Sequence, residues 1–209
     1  MHLFKISLFL LAIFLLAGCG TQKQTINRFY VIEKPDSIQP PIARQNPIVE
    51  GYCEIAPVHI YPAYATQEIA NRSNSHEITY YTSHHWAARP GESLTLLLQD
   101  FLNHTSVFKG VSTRFWMVDP SYKLTTTIYK LEIVQEGEEL LAHIKLEFKL
   151  YNNSTRELLL SHQADRYQTL QYKDLNLFAE AVASMFYKEL EQLVKKIDQH
   201  SHFESVDAH

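Results

Sequence analysis

Three consecutive segments of the sequence have the length and composition of long strands, at 122–134, 140–151 and 157–168. In the second segment every other residue is apolar: Ala142, Ile144, Leu146, Phe148 and Leu150. A period of two puts these side chains on one face of a strand, so we expect one buried face and one wet face. The connections at 136–139 and 152–155 are too short for anything but antiparallel neighbours. The sequence therefore predicts an antiparallel meander.

Two other segments have the period of an amphipathic helix. The first has apolar residues at i, i+3, i+4, i+7 and i+8, namely Leu94, Leu97, Leu98, Phe101 and Leu102. The second runs from Asp174, a predicted N-cap, to about Gln199, and its apolar stripe is Phe178, Val182, Met185, Phe186, Leu190, Leu193 and Ile197. Each stripe needs an apolar surface to cover. We therefore predict an α+β fold of two layers, in which two helices pack on one face of a mainly antiparallel sheet.

Shorter elements are predicted before and after the first helix. Strands are expected at 28–32, at 48–61 with a break at Pro57, and at 112–118, and a hairpin is expected from 68–71 and 77–81. Residues 84–91 are predicted to bend into the first helix, and four prolines between 33 and 47 predict an extended loop. The folded domain is thus expected to span 28–200, followed by a solvated tail at 201–209.

The N-terminal segment predicts export and lipidation. Residues 8–17 are all apolar, which is too short for a bilayer span of about 20 residues but suits the core of a signal peptide, about 7–15 residues. The run leads into Leu16-Ala17-Gly18-Cys19, which resembles the lipobox of bacterial lipoproteins. We expect residues 1–18 to be removed, Cys19 to carry the acyl chains, and 19–27 to form a polar tether. Gly20 rather than Asp follows the anchor, and by resemblance to the sorting of enterobacterial lipoproteins this suggests the outer membrane and its periplasmic face as the destination.

Charge and cysteine usage exclude two classes of protein. The chain has 19 Lys+Arg against 23 Asp+Glu, and removal of Lys5 with the signal peptide makes the mature protein slightly more acidic. A nucleic-acid partner is not expected, because no basic run is longer than Lys195-Lys196. Only Cys19 and Cys53 are present, so a disulfide-stapled fold is excluded. Cys53 is predicted to be a buried small apolar residue rather than a nucleophile.

No arrangement of residues in the sequence predicts catalysis. Eleven histidines invite a metal site, but no HExxH or Cys-x-x-Cys pattern completes a ligand set, and His84 and His85 are adjacent. No GxGxxG, P-loop or GxSxG motif occurs. The carboxylates at 136–139 are interpreted as a solvated hairpin tip. We therefore predict no metal, no cofactor and no catalytic residue, and a protein that is not an enzyme.

Trp86 has two interpretations. It either fills the junction between the hairpin and the first helix, as large aromatic side chains usually do, or forms an exposed docking cluster with Arg89 and Tyr81.

The order of these features resembles one family. Cys19 lies in a lipobox and is followed by a first strand at 29–32 and a hairpin ending at 78–81. Trp86 to Pro90 then lead into the first helix, and a meander and a C-terminal helix follow. This order is similar to that of the ABC-type transport auxiliary lipoproteins. The resemblance implies a non-catalytic periplasmic domain held in the outer membrane by its lipid. It also implies that the protein works beside an ABC transporter and a membrane-anchored MCE-domain protein, which carry lipids or other hydrophobic molecules.

Other functions stay open from the sequence. One is a lipoprotein that chaperones an outer-membrane assembly machine or binds lipopolysaccharide, and another is an envelope hydrolase with unrecognised spacing. The partner-facing surface and a homo-oligomeric state are also left open, although an exposed strand edge is an alternative docking site to the Trp86 region.

Overall fold

The computed structural model of the protein describes residues 26–36, 38, 44–172 and 174–200. The predicted signal peptide, Cys19 and the predicted tail lie outside the described residues, and of the predicted tether only Ile26 and Asn27 lie within them. The strands are β1 (Arg28–Tyr30), β2 (Tyr52–Ile55), β3 (His59–Ile60), β4 (Glu68–Asn74), β5 (Glu77–Trp86), β6 (Gly110–Ser112), β7 (Tyr122–Glu136), β8 (Glu139–Asn152) and β9 (Leu158–Leu170). The helices are α1 (Pro90–His104) and α2 (Leu175–Gln199), with a short 3-10 helix at Pro62–Tyr64.

The predicted meander is confirmed. β7 pairs with β8 and β8 pairs with β9, both antiparallel, in registers that run almost the full length of the strands. The turn between β7 and β8 is exposed, as predicted, and Gly137 adopts a φ of 62° there. An L-residue with a side chain rarely adopts that backbone conformation, so a glycine suits the turn.

The other edge of β7 is occupied by three short strands, which makes the sheet mixed. β2, β3 and β4 each pair with β7 in the parallel direction, one after another along its length. β6 then pairs with β2, and β5 with β4, before β1 completes the sheet beside β5. A strand of 15 residues extends for about 50 Å, which is enough edge for several short partners in a row.

Both helices pack on the same face of the sheet, as the two-layer prediction requires. All five stripe residues of α1 and all seven of α2 are buried. Phe186 of α2 lies 5.9 Å, ring to ring, from Phe148 of β8, and Phe101 of α1 meets Tyr187 of α2 edge to face at 5.4 Å. Asp174 caps α2 as predicted, since its carboxylate accepts a hydrogen bond from the backbone N–H of Asn176 at 2.9 Å.

Three expectations from the sequence are wrong. The strand predicted at 112–118 ends at Ser112, and residues 113–118 form a loop. The bend predicted at 84–91 begins later, because β5 continues to Trp86. The polar face of β8 is not uniformly wet either, since His143 and Glu147 are buried. Tyr64 lies over that face and hydrogen-bonds to Glu132, the cross-strand neighbour of His143.

Candidate functional site

The three residues predicted to form a docking cluster take different positions. Trp86 is only 2% exposed, and its ring packs on Phe178 of α2 at 5.5 Å, so it fills the junction between strand and helix. Arg89 is exposed at the N-cap of α1. Tyr81 is half-buried in β5. A docking role for Arg89 or Tyr81 stays a prediction, whereas the indole of Trp86 is covered by the fold.

Tyr81 lies in a large irregularity of the β4–β5 pair. Glu68 is opposite His85, and Ala70 is opposite Tyr80, so one residue of β4 faces four residues of β5. Such bulges re-aim side chains and are common next to functional sites. A cleft of about 430 Å³ lies beside this bulge. It is lined by Tyr81 and His84 of β5, by Arg28 and Tyr30 of β1, and by the apolar side chains of Ile133, Leu140, Leu170 and Leu175.

The polar side of that cleft is held by a hydrogen bond. The hydroxyl of Tyr30 lies 2.7 Å from Nδ1 of His84, and the two rings are stacked. Tyr81 meets the ring of His84 edge to face at 5.9 Å. Burial raises the pKa of Tyr81, so its hydroxyl stays protonated at neutral pH and is available as a donor.

A buried ionic network occupies the face of the sheet opposite the helices. Glu132 of β7 is fully buried and accepts a bifurcated hydrogen bond from Nε–H of Arg72, 2.9 Å to each oxygen, and one of 2.6 Å from the hydroxyl of Tyr64. Nδ1 of His143 lies 3.2 Å from the same carboxylate. Burial alone would raise the pKa of Glu132, but the hydrogen bonds from His143, Arg72 and Tyr64 outweigh it and hold that pKa at about 2.

The network extends to the edge of the sheet. Nε2 of His143 lies 2.7 Å from the carboxylate of Asp165 on β9, and Lys145 binds the other oxygen of that carboxylate at 3.0 Å. Tyr167 stacks on the His143 ring at 4.0 Å and shields it from solvent. The arrangement joins β4, β7, β8 and β9 through side chains as well as backbone, and every acidic group in it has a cationic or donor partner. This is the pattern of a structural network.

A second buried cluster links α2 to the sheet. Glu189 of α2 accepts a 2.6 Å hydrogen bond from Nε of Arg166, and its other oxygen lies 2.8 Å from Nε2 of His162. Both Arg166 and His162 belong to β9. The sequence assigned no role to Glu189, because it falls among the apolar residues of the α2 stripe. A charged residue in an apolar stripe indicates that the facing element carries a side chain that pairs with it.

Cys53 is fully buried, as predicted, and burial raises the pKa of its thiol well above the usual range. A thiol in that state is a poor nucleophile. Within the described residues, no group of three or more His, Cys, Asp or Glu side chains is placed to hold a metal ion. No helix in the described part of the chain is both long and apolar enough to cross a bilayer.

The most exposed apolar surface among the described residues was not predicted from the sequence. Residues 115–118, here called the apolar tip, include Trp116 at 79% exposure, Met117 at 96% and Val118 at 41%. Phe115 anchors the tip by packing edge to face on Tyr52 at 5.5 Å, and the guanidinium of Arg114 lies 3.8 Å above the Trp116 ring. Contiguous exposed apolar residues usually mark a contact surface. The four-residue apolar run itself was the available signal, but it also fits a strand.

β9 provides a different kind of contact surface. It is 13 residues long, and within the described ranges its only sheet partner is β8. One side of its backbone therefore faces away from the sheet, where an incoming strand can add. Most of its side chains are exposed, with Asp165 and Arg166 near its middle.

Comparison with known proteins gives one family and several similar folds. The family model described as the ABC-type transport auxiliary lipoprotein component matches residues 30–197. A search of curated proteins finds no significant match. Among solved structures, protein XCC0632 from Xanthomonas campestris, of the DUF330 family, is 17% identical with a TM-score of 0.70, over 83% of this chain and 96% of that one. The hypothetical protein CT253 from Chlamydia trachomatis is 7% identical with a TM-score of 0.51, over 74% and 99%. At these identities the likeness concerns the fold alone.

Proposed function

The chain belongs to the ABC-type transport auxiliary lipoprotein family, and on that premise we propose that it is a non-catalytic, lipid-anchored subunit that links an ABC/MCE-type transport system for lipids or other hydrophobic molecules to the outer membrane. The observation that carries the proposal is the family match, which covers nearly the whole described domain, from β1 to the last turn of α2. The energy for transport would come from the ATPase subunit of the system.

The lipid anchor is the first part of this proposal. Leu16-Ala17-Gly18-Cys19 supplies the lipidation signal, and membership of a lipoprotein family supports it. Two or three acyl chains hold a protein stably on a membrane, whereas one chain holds it only marginally. Gly20 after the anchor supports the outer membrane as the destination, with the domain on the periplasmic face.

Docking of the MCE-domain partner is the second part, and β9 is the surface that suits it best. An added strand would satisfy the outward backbone groups of β9, and the side chains along the edge would supply selectivity. The networks of Glu132 and Glu189 both reach β9, so this edge strand is fixed to the rest of the domain rather than free to fray. A rigid edge loses less entropy on binding.

Site-specific photo-cross-linking in cells tests the docking surface. A photoreactive amino acid is placed at Thr169, exposed on β9, and as a matched control at Glu92, exposed on α1. We expect the Thr169 position, but not the Glu92 position, to cross-link to the MCE-domain protein. Absence of that cross-link from Thr169, with both proteins present, contradicts the docking surface. A cross-link to a β-barrel protein instead would favour an outer-membrane assembly role.

A further inference from the structure

The apolar tip lies in a part of the domain where the local balance of cations and acids differs from the net charge of the chain. The chain is acidic overall, with a net charge of −4. Between residues 109 and 123, however, the cations are Lys109, Arg114 and Lys123, and the only acid is Asp119. The adjacent turn at 149–157 adds Lys149 and Arg156 against Glu157. Three of these cations are paired with carboxylates outside the two segments: Lys109 with Glu50 at 2.6 Å, Lys123 with Glu54 at 3.3 Å and Lys149 with Glu147 at 3.0 Å. The cations left for a ligand are Arg114, whose guanidinium lies over the Trp116 ring, and Arg156, at the end of the domain that carries Trp116 and Met117.

A small cleft lies on the polar face of the sheet, at the end where the chain passes from the tip into β7. It has a volume of about 260 Å³ and is lined by Lys123, Thr125, Tyr151, Asn152, Asn153 and Arg156. The chain that follows the tip is hydrogen-bonded to a residue of this cleft, because the backbone N–H of Asn153 donates to the carbonyl of Ser121 at 2.8 Å and its side chain donates to the carbonyl of Pro120 at 3.0 Å. We call this the basic cleft. The tip and the basic cleft therefore lie at the same end of the sheet.

The cations of the basic cleft differ in how far they are neutralised. Lys123 pairs with Glu54 at 3.3 Å, which offsets part of its charge. Arg156 is exposed and has no ion-pair partner among the described residues. A guanidinium of this kind binds phosphate through two parallel N–H donors. The cleft therefore offers hydrogen-bond donors and positive charge at the same end of the sheet as the apolar tip.

We propose that the apolar tip and the basic cleft together contact the phospholipid surface, with Trp116 and Met117 in the acyl boundary and headgroup phosphates at the cleft. A tryptophan with neighbouring arginine is the composition of membrane-interface contacts, since the indole suits the headgroup level and the cation suits the phosphates. The inference rests on the lipid anchor of the proposed function, which keeps a bilayer within reach of the domain.

The length of the tether agrees with this contact. From Cys19 to Arg28 the chain can extend by at most about 30 Å. The registers through β5 and β4 place Arg28 near the level of Leu131 on β7, whereas the tip precedes Tyr122. That difference corresponds to about 25–30 Å along the strands. The maximum reach from Cys19 to Arg28 is therefore about equal to this difference, so the anchor and the tip can approach the same membrane surface.

The two tryptophans of the chain make a direct test. Trp86 is 2% exposed inside the domain and Trp116 is 79% exposed on the tip. The full-length lipidated protein is reconstituted into vesicles of phosphatidylethanolamine and phosphatidylglycerol, in which part of the lipid carries bromine on its acyl chains. We expect bromine to quench the emission of Trp116 and to shift the remaining emission toward that of a buried indole. Trp116→Phe, which leaves only Trp86, should show no quenching.

Matched substitutions distinguish a specific contact of the tip with lipid from a general effect of adding a negative charge to the surface. Met117→Asp changes a side chain that is 96% exposed, and Leu96→Asp changes one that is 69% exposed on α1, so neither disturbs the core. Quenching should be lost in Met117→Asp and unchanged in Leu96→Asp. Arg156→Gln should reduce quenching on vesicles at low ionic strength. Equal quenching in the Met117→Asp and Leu96→Asp variants would overturn the proposal.

Flotation of the same vesicles distinguishes the two proposals. If the protein floats with the vesicles and Trp116 is unquenched, the tip proposal fails and the lipid anchor stands. If the protein does not float, the anchor itself fails, and with it the proposed function. If Trp116 is unquenched in vesicles but a photoreactive residue at Met117 cross-links to a protein in cells, the tip binds a protein and the lipid proposal is overturned.

Discussion

Replacing Glu132 by Gln tests the energetic weight of the buried network. Glu132 is 0% exposed and receives hydrogen bonds from Arg72 and Tyr64, while His143 lies at 3.2 Å. Gln has nearly the same shape but no charge, so the variant mimics the protonated state of the carboxyl group. Arg72, whose side chain is only 17% exposed, would then keep its charge without a carboxylate partner, which is costly in a partly desolvated site.

The expected magnitude follows from the pKa of Glu132, which the network lowers from 4.5 to about 2. At 1.36 kcal/mol for each pH unit, this corresponds to a contribution of ~3 kcal/mol to the free energy of unfolding at neutral pH. Because the folded-state pKa lies below the unfolded value, the contribution is present above about pH 5 and is lost as the pH falls through 2. Glu132→Gln should therefore cost ~3 kcal/mol at pH 7 and ~1 kcal/mol at pH 3.

Urea denaturation of the mature domain, followed by circular dichroism at pH 7 and pH 3, measures both values. The control is Glu138→Gln at the exposed tip of the β7–β8 turn, which should change the free energy of unfolding by less than about 0.5 kcal/mol at either pH. The reasoning is refuted if Glu132→Gln costs the same at pH 7 and pH 3, or if its cost at pH 7 is no larger than that of the control.

Three further predictions concern the anchor and the core. Cys19→Ala should leave the precursor uncleaved and unlabelled by a fatty-acid probe, and normal labelling of the variant would rule out the lipobox. Trp86→Ala should lower the free energy of unfolding by about 3–5 kcal/mol, because it leaves a cavity against Phe178; a loss below about 1 kcal/mol in urea denaturation would contradict its role as a filler. Asp174→Ala should cost about 1 kcal/mol through the lost α2 cap, whereas Glu180→Ala, exposed on the same helix, should cost much less.

The elements that depend on local pattern were predictable. The stripes of α1 and α2, the Asp174 cap and the three meander strands follow from spacing and from short turns, because 3.6-residue and two-residue periods act within a single segment. The strand pairings on the other edge of β7 do not follow from spacing. Those short strands pair in parallel with β7 across long intervals of sequence, and no local pattern predicts which distant segment pairs with β7.

Which side chains of the candidate site are buried depends on the residues that cover each face of the sheet. Alternation showed that His143 and Glu147 share a face of β8, but not that they are buried there. Tyr64, 68 residues before Glu132 in the sequence, donates to the Glu132 carboxylate, and Tyr129 of the neighbouring strand donates to that of Glu147. Likewise, the four apolar residues at 115–118 fit a buried strand as well as an exposed tip, so their composition does not distinguish the two.

The sequence by itself determined the α+β class and the side chains that each helix and long strand present together, because each depends on residues that are close in the chain. Only the tertiary structure decided that Trp86 is enclosed while Trp116 is exposed. The physical reason is that burial depends on the neighbours a residue meets after folding. For Trp86 these neighbours include Phe178, 92 residues away, whereas for Trp116 the ring contact is with Arg114, two residues earlier.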